Sequence, residues 1–392
     1  MQRSALSFVV FFAVITTVMG LIHWFIWARL VRAPELGPGV QRWGGVAIAL
    51  LGVLTPVGVA LARSMKRPAS TWVAGAAYTW LGLAILLFIA LSFGEVVRVG
   101  ARLVAALTDT PFDPARRTFV ARVVAGSAAA YAVGAGVLGA VAALGSVAVR
   151  KVDVHLARLP KQLSGFRVAQ LSDLHIGPTL GKGWLADVVA RVNATEPDVI
   201  VITGDLVDGD VASLRDDVAP LAGLRAKHGV YFVTGNHEYY SGVDAWLEEL
   251  GRLGVRVLRN ERVSIGDGDA SFDLAGVDDW SAKRFGGDHG ADLPRALAGR
   301  DPTRELVLLA HQPKQIDEAA AHGVGLQLSG HTHGGQIFPW NLFVRIDQPF
   351  VAGLDRRGDT QIYVSRGTGF WGPPLRVAAP SEISLLELIA PA

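Results

Sequence analysis

The sequence predicts a two-part protein, with a four-helix transmembrane region over residues 1–150 and an α/β domain over residues 151–392. The 392-residue chain is 51% hydrophobic and only 18% charged. Its charged residues are sparse before position 150 and ordinary in frequency after it. Beyond that position, short β-rich runs alternate with helical stretches, the pattern of an α/β fold. A membrane part followed by a globular part accounts for both observations.

The bulk composition excludes several kinds of function. A formal net charge of +2 is too close to neutral to indicate a nucleic-acid-binding protein, so no nucleic-acid partner is expected. The chain contains no cysteine. Disulfides, thiolate nucleophiles and cysteine-ligated zinc are therefore excluded.

Four apolar stretches are each long enough to cross a bilayer, which takes roughly 20 residues. None of them contains Asp, Glu, Lys or Arg, and tryptophans and basic residues lie near their ends, as in membrane helices. A cleaved signal peptide is the alternative for the first stretch, but its apolar run is long and three more spans follow. We therefore expect a multi-pass protein of the cell membrane, with the lipid bilayer as a partner. The stretches are residues 4–28, 43–62, 68–94 and 123–149.

Details of this region stay open at the sequence level. Basic residues flank the spans on both sides, so the side of the membrane that holds the α/β domain is not assigned. Residues 94–122 fit either an amphipathic helix on the membrane surface or a polar extension of the third span. For His23, beside Trp24 near a span end, we expect an interfacial or helix-contact role.

The second half reads as strands alternating with helices. Continuous apolar runs such as residues 199–202 indicate a sheet that is buried on both faces. We predict helices at residues 183–193, 211–227 and 243–253. We predict strands at residues 166–172, 198–203, 230–234, 255–258, 271–277, 305–310, 326–329, 361–365 and 383–388.

Metal-capable side chains follow the ends of five of these predicted strands. In α/β sheets, ligand sites lie outside the carboxyl ends of strands, so residues more than 150 positions apart can converge there. The glycines before Asp205, Asn236 and His331 permit tight turns and close backbone approach. The side chains concerned are Asp173 and His175, Asp205, Asn236 and His237, His311, and His331 and His333.

This donor set of carboxylate, imidazole and amide groups suits a pair of divalent ions such as manganese, iron, zinc or cobalt. Two ions about 3.5–4 Å apart can clamp a phosphate and generate a hydroxide nucleophile. One carboxylate is expected to bridge the ions, because it screens their repulsion. Any single motif here is weak, whereas five in this order, each after a predicted strand, are specific.

The second half resembles the calcineurin-like metallophosphoesterase superfamily over about residues 160–390, and the four-span N-terminus resembles its transmembrane bacterial branch. The resemblance implies a β-sandwich flanked by helices. It also implies that one ion is held by Asp173, His175, Asp205 and His333, and the second by Asp205, Asn236, His311 and His331. Asp205 takes the bridging position, and His237 takes that of the histidine that contacts phosphate and protonates the leaving group.

These assignments define a hypothesis for the reaction. A metal-bridging hydroxide attacks phosphorus in line with the leaving oxygen, and His237 donates a proton to the departing alkoxide. Gln336 and Glu238 are candidates for orienting the histidines, with ordinary polar roles as the alternative. Asp278 and Asp279 resemble a Gly-x-Asp-Asp stretch of this branch, and they either touch substrate or cap a loop.

The expected activity is that of a metal-dependent phosphoric ester hydrolase (EC 3.1 class), and within it a phosphodiesterase. Apolar residues crowd positions 338–350, and they fit either contact with lipid or a hairpin that fills a small core. The first alternative favours a lipid-linked substrate, the second a soluble ester. A catalytically weak membrane sensor or scaffold that uses the same fold for binding is the competing function.

Overall fold

A computed structural model describes residues 5–108 and 113–391 of the chain. It contains two compact units. The first unit comprises residues 1–141 together with residues 372–375. The second unit comprises residues 142–371 and 376–392.

Helices make up almost all of the first unit. Four of them are long and apolar enough to cross a membrane, as the sequence predicts. Helix α3 has 39 residues and is therefore about 58 Å long at about 1.5 Å per residue, well beyond the ~30 Å hydrocarbon layer. Of the two alternatives for residues 94–107, the polar extension of the third span is thus the observed one. The helices are α1 (Ala5–Trp27), α2 (Pro38–Ser64), α3 (Ala69–Leu107) and α4 (Pro114–Leu144).

Two polar side chains of this unit, His23 and Glu95, have protein partners. His23 Nδ1 donates to the carbonyl of Met19 at 2.8 Å, and Trp80 Nε1 donates to His23 Nε2 at 3.0 Å. The histidine therefore joins α1 to α3, which is the helix-contact role expected for it. Glu95 forms ion pairs with Arg29, at 3.0 Å, and with Arg98.

Two six-stranded sheets form the frame of the second unit. The first sheet has the order β1-β12-β2-β3-β4-β5, and the second has the order β10-β11-β9-β8-β7-β6. Their strands are β1 (Ala148–His155), β2 (Phe166–Leu171), β3 (Val199–Thr203), β4 (Val230–Val233), β5 (Arg256–Val257), β6 (Glu261–Asp267), β7 (Ala270–Gly276), β8 (Leu306–Leu309), β9 (Leu326–Ser329), β10 (Gly353–Arg357), β11 (Thr360–Val364) and β12 (Glu382–Ile389).

The two sheets pack face to face as a sandwich. One buried apolar cluster joins them, with Val168 and Val199 from the first sheet and Phe272 and Leu328 from the second. A second cluster covers the other face of the first sheet, and a third covers the other face of the second sheet. Burial on both faces explains the continuous apolar strands, and the predicted sandwich flanked by helices is confirmed.

Seven helices accompany these sheets, and one prediction about them was wrong. The helix predicted over residues 211–227 ends at Val218, because Pro220 has no backbone N–H to donate and a 3₁₀ turn follows. Residues 340–347, considered above as part of a hairpin, form a helix without a buried residue. The helices are α5 (Lys182–Ala194), α6 (Val211–Val218), α7 (Asn236–Ser241), α8 (Val243–Arg252), α9 (Leu293–Ala296), α10 (Ile316–Ala321) and α11 (Trp340–Asp347).

Strand direction determines where the loops of this unit meet. Strands β2, β3, β4 and β5 pair in parallel, and so do β7, β8, β9 and β11. Each parallel set therefore presents its carboxyl ends along one edge of its sheet. The predicted metal-capable residues follow β2, β3 and β4 in one sheet and β8 and β9 in the other.

Candidate metal centre

The structure brings the predicted ligands together in two groups. Asp173, His175 and His333 form the first, with His175 Nε2 and His333 Nε2 3.0 Å apart. Within each group the donor atoms lie within 4.8 Å of one another. The second group is Asp205, His311 and His331.

Asp205 lies between the two groups. Its Oδ2 is 3.2 Å from His311 Nε2 in one group and 3.9 Å from His175 Nε2 in the other. Its second oxygen, Oδ1, accepts the backbone N–H of His237 at 2.9 Å. One carboxylate oxygen therefore faces donors of both groups, which is the geometry that a bridging ligand requires.

The backbone at these residues is in an unusual conformation. Asp173, His175, Asp205, His331 and His333 all have φ between 48° and 71°, the left-handed region that side chains other than glycine rarely adopt. Such strain is typical of functional sites, where the surrounding fold maintains it. Here the left-handed backbone directs five side chains, carried by three loops, toward the same site.

Two glycines allow the Asp205 and Asn236 loops to approach each other. Gly204 has φ +84°, and a Cβ there would come within 2.8 Å of His311 Nδ1. A Cβ on Gly235 would collide with the carboxylate of Asp205. Neither position can accept a larger residue without separating the loops.

Hydrogen bonds from their Nδ1 atoms orient two of the histidine rings. His311 Nδ1 donates to the carbonyl of Thr203 at 2.7 Å, and His175 Nδ1 donates to Asp208 Oδ1 at 3.1 Å. Because a carbonyl or a carboxylate can only accept, both Nδ1 atoms carry the hydrogen. The Nε2 atoms are therefore the ones that can bind a metal ion.

Asp208 is a functional residue that the sequence reasoning missed. Its Oδ1 accepts from His175 at 3.1 Å and from His237 Nδ1 at 2.5 Å, so one carboxylate positions two imidazoles. Its place three residues after Asp205, in the same loop, is a signal that could have identified it. Helix α7 carries His237 at its first turn, and Tyr240 and Trp371 contact the ring edge-on.

Glu238 stabilises the loops rather than a histidine. This buried carboxylate accepts the backbone N–H groups of Asp205 at 3.0 Å, Leu206 at 2.8 Å and Gly235 at 2.6 Å. Gln336, the other candidate for orienting a histidine, instead bonds the backbone N–H and carbonyl of Trp371.

Asp278 and Asp279 are buried, and their carboxylates have protein partners. Asp278 accepts two hydrogen bonds from Arg259, at 3.0 Å and 2.6 Å. Asp279 accepts from the backbone N–H of Ser281 and from the amide of Gln312. These contacts correspond to the loop-capping alternative.

Burial and neighbouring charges shift the pKa values of these groups. Burial by itself lowers the pKa of His237, but Asp205 and Asp208 outweigh it and raise the pKa to about 9. Burial also opposes ionisation of His311, yet Asp205 raises its pKa well above the usual value. For His331, burial and the charge of His311 lower the pKa to about 3. These shifts favour a protonated His311 beside an ionised Asp205.

The residues fit a pair of divalent ions on two counts. The donors are imidazoles and carboxylates without sulfur, the set preferred by borderline and hard divalent metals. In addition, Asn236 Oδ1 is buried without a hydrogen-bond partner among the described residues. A buried amide oxygen without a partner costs free energy, and a metal ion would provide that partner.

Comparisons with known proteins identify the family of this chain. The profile of the calcineurin-like phosphoesterase family matches residues 166–335. A Danio rerio "transmembrane protein with metallophosphoesterase domain" is 34% identical over 98% of this chain and 90% of that protein. An uncharacterized metallophosphoesterase of Helicobacter pylori is 42% identical over 62% of this chain, and the alignment spans only 64% of that protein.

Among solved structures, Haemophilus influenzae NAD nucleotidase matches 52% of this chain and 50% of its own, at 16% identity and a TM-score of 0.38. The full-length similarity to the Danio rerio protein covers both the apolar helices and the phosphoesterase region. This chain therefore belongs to the calcineurin-like metallophosphoesterase family, as a metal-binding hydrolase with transmembrane helices.

Proposed function

We propose that this protein is a membrane-anchored phosphodiesterase that uses two divalent metal ions, with residues 1–150 as the anchor and residues 151–392 as the catalytic domain. The observation that carries the proposal is the position of Asp205. Its Oδ2 faces His311 Nε2 at 3.2 Å on one side and His175 Nε2 at 3.9 Å on the other. A carboxylate between two groups of donors supports a two-ion centre.

The proposed ligand sets follow the two groups. Asp173, His175 and His333 would hold one ion, and Asp205 would contribute to both sites. Asn236 would contribute its buried amide oxygen, which has no partner among the described residues, to the other ion. The second set is completed by His311 and His331. Manganese, iron and zinc are the metals that this donor chemistry favours.

The ions, when bound, neutralise phosphate charge and lower the pKa of water. The reaction is hydrolysis: the oxygen of water joins phosphorus, and the bond between phosphorus and the leaving alcohol's oxygen breaks. Asp205, fixed by the N–H of His237, keeps the two groups of ligands at a constant separation. The strained backbone at five ligands keeps their side chains converged before substrate arrives.

His237 is proposed to be the proton donor. Asp208 holds its Nδ1 at 2.5 Å, so Nε2 is the atom that can face the substrate. Because nearby carboxylates raise its pKa to about 9, the ring is an imidazolium at neutral pH. It would donate a proton from Nε2 to the departing alkoxide; the proton lost by the attacking water goes to solvent, and His237 takes a proton back from solvent afterwards.

We propose the cell membrane as the location and a lipid-linked phosphoester as one substrate class, because four helices are long and apolar enough to cross a membrane. The competing proposal is a catalytically weak sensor or scaffold. It is disfavoured by the completeness of the proposed donor set, because a binding protein does not need His237 and Asp208 arranged for proton transfer.

The proposal is tested with the purified full chain in detergent, loaded with manganese and assayed on a chromogenic phosphodiester and a monoester. We expect Asn236→Ala to lose metal and activity, whereas His237→Ala keeps metal and loses about 10²–10⁴-fold in turnover. His322→Ala is the matched control, because His322 Nδ1 bonds the Glu318 carbonyl in helix α10. A fully metallated wild type without turnover of either ester would favour the sensor.

A further inference from the structure

The helix that follows the His331–His333 loop carries an exposed apolar face. Isoleucine 346 is 84% exposed, and the other large apolar side chains of this face are 49–58% exposed. Such a density of large apolar side chains is uncommon on a surface that meets only water. We call this surface the apolar ledge, and it consists of Phe338, Trp340, Leu342, Phe343 and Ile346.

Contacts at its N-terminal end lock the ledge to the metal-binding loop. A Cβ on Gly335 would come within about 2.6 Å of the Cβ of Asn341, so the loop and the first turn of α11 touch along their backbones. The N–H of Trp340 also donates to the carbonyl of Ile337 at 2.8 Å. The helix therefore begins directly from the turn that carries His333.

The C-terminal end is fixed to the loop that follows His311. Lys314 Nζ pairs with Asp347 at 3.0 Å, and Gln348 Nε2 donates to Gln312 Oε1 at 3.3 Å. The backbone N–H of Lys314 donates to Gln348 Oε1 at 3.2 Å. With both ends fixed to ligand-bearing loops, the helix cannot turn its apolar face inward.

The composition of the ledge matches that of an interfacial helix. Residues 338–346 contain Trp, Phe, Leu and Ile, no acidic residue, and one basic residue, Arg345. The only carboxylate of α11, on Asp347, is paired with Lys314. Aromatic and aliphatic side chains with a basic flank favour the boundary between headgroups and acyl chains.

The linker between the last apolar helix and the phosphoesterase domain is short. Only residues 145–147 separate the end of the last apolar helix, α4, from the start of strand β1. Three extended residues span about 10 Å. A linker of three residues therefore joins the phosphoesterase domain to a helix that is long and apolar enough to cross a membrane.

We propose that the apolar ledge inserts into the lipid–water interface of the membrane that anchors the chain, and that it presents the metal-binding loops to a phospholipid phosphodiester in the headgroup layer. The substrate class rests on the proposed hydrolase function, whereas insertion of the ledge does not. The ledge is the part of the domain that decides which phosphoesters reach the centre.

Insertion is measured without any assay of activity. Because the chain has no cysteine, Ile346→Cys and Leu354→Cys each provide one labelling site for a nitroxide. Leu354 is the matched control, a leucine 41% exposed on strand β10. Full-length protein is placed in nanodiscs of phosphatidylethanolamine and phosphatidylglycerol. Accessibility to lipid-soluble oxygen is then compared with accessibility to a water-soluble nickel chelate.

The proposal expects the label at 346 to favour oxygen over nickel several-fold more than the label at 354. Equal ratios at the two positions would overturn insertion. Spin–spin broadening at 346, or a disulfide-linked dimer of Ile346→Cys, would overturn it in favour of a second copy of the chain on the ledge.

The substrate class is tested with phosphatidylglycerol in the same nanodiscs and with soluble bis(p-nitrophenyl) phosphate. We expect the ratio of lipid to soluble turnover to fall about tenfold in Phe343→Ser/Ile346→Ser, because interfacial binding of apolar side chains is lost. Leu354→Ser should keep the wild-type ratio. An unchanged ratio in the double variant, or a wild type active only on the soluble ester, overturns the substrate class. A wild type inactive on both contradicts the hydrolase itself.

Discussion

Two buried histidines, one in each unit, have opposite surroundings. His23, between membrane helices, gives its Nδ1 hydrogen to Met19 at 2.8 Å and accepts one from Trp80 at 3.0 Å. His311, in the phosphoesterase domain, donates Nδ1 to Thr203 at 2.7 Å. Its Nε2 faces Asp205 and His331 together, each at 3.2 Å.

The difference separates a structural histidine from a candidate ligand. Each nitrogen of His23 has one neutral partner, and the neutral ring satisfies both. His311 Nε2 meets a carboxylate and a second imidazole, more acceptors than one hydrogen can serve. Burial alone does not distinguish the two residues, since both are buried. The two residues differ instead in the number and the charge of the groups that surround each ring nitrogen.

Removal of the Asp205 carboxylate, which faces both groups of donors, should have the largest effect. We expect Asp205→Ala to release both ions and to lower kcat/KM by about a thousandfold or more, because electrostatic stabilisation of the transition state is lost. Metal content is measured by elemental analysis alongside turnover.

Asp210→Ala is its control, a carboxylate of the same loop that caps helix α6 by accepting from Ser213. It should keep both ions and lose about 1 kcal/mol of stability. If Asp205→Ala retained two ions per chain, the bridging position would be refuted.

Asp208→Asn should have the next largest effect, because it removes the charge that orients His175 and His237 but keeps the size of the side chain. A loss of about 10–100-fold in metal affinity or activity is expected from a residue that orients ligands. Titration of the variant with manganese and its steady-state kinetics check this. An Asp208→Asn protein that matches the wild type in both would show that the two rings are held by other contacts.

Metal affinity should depend on pH in a direction set by His311. Its pKa is raised mainly by Asp205 against the effect of burial, so the ring carries a proton below that pKa and a metal ion must displace it. Affinity therefore rises with pH by about tenfold per unit for each proton released, until the pKa is passed. Calorimetry in buffers of different ionisation enthalpy counts the protons. Uptake without proton release across neutral pH would contradict a protonated His311.

The smallest effect is expected for the histidine with both nitrogens satisfied. His23→Leu should cost about 0.6 kcal/mol, and at most about 1.7 kcal/mol, the range found for hydrogen bonds between membrane helices. Unfolding of the full chain in detergent measures it, and metal content should not change. Trp80→Phe should cost a similar amount, and the double variant less than the sum, because both single changes break one bond.

Much of this architecture could be predicted from local patterns. The four apolar stretches correspond to helices α1–α4, and the nine predicted strands are present with ends shifted by at most one residue. Strands β1, β6 and β10 were not predicted, because all three are edge strands whose largely exposed side chains give a weak apolar signal. Helix α11 was missed because its apolar residues face solvent, whereas the pattern assumes that they face a core.

The sequence by itself determined which side chains are capable of binding metal, and that each follows the carboxyl end of a strand. Only the tertiary structure decided that Asp208 accepts hydrogen bonds from both His175 and His237. It also decided that Asp278 is hydrogen-bonded to Arg259, and Asp279 to Ser281 and Gln312. Local patterns report the hydrophobic burial of each strand and helix in turn. Which polar atoms find partners depends on distances between loops far apart in the chain, and these distances exist only once both sheets have packed.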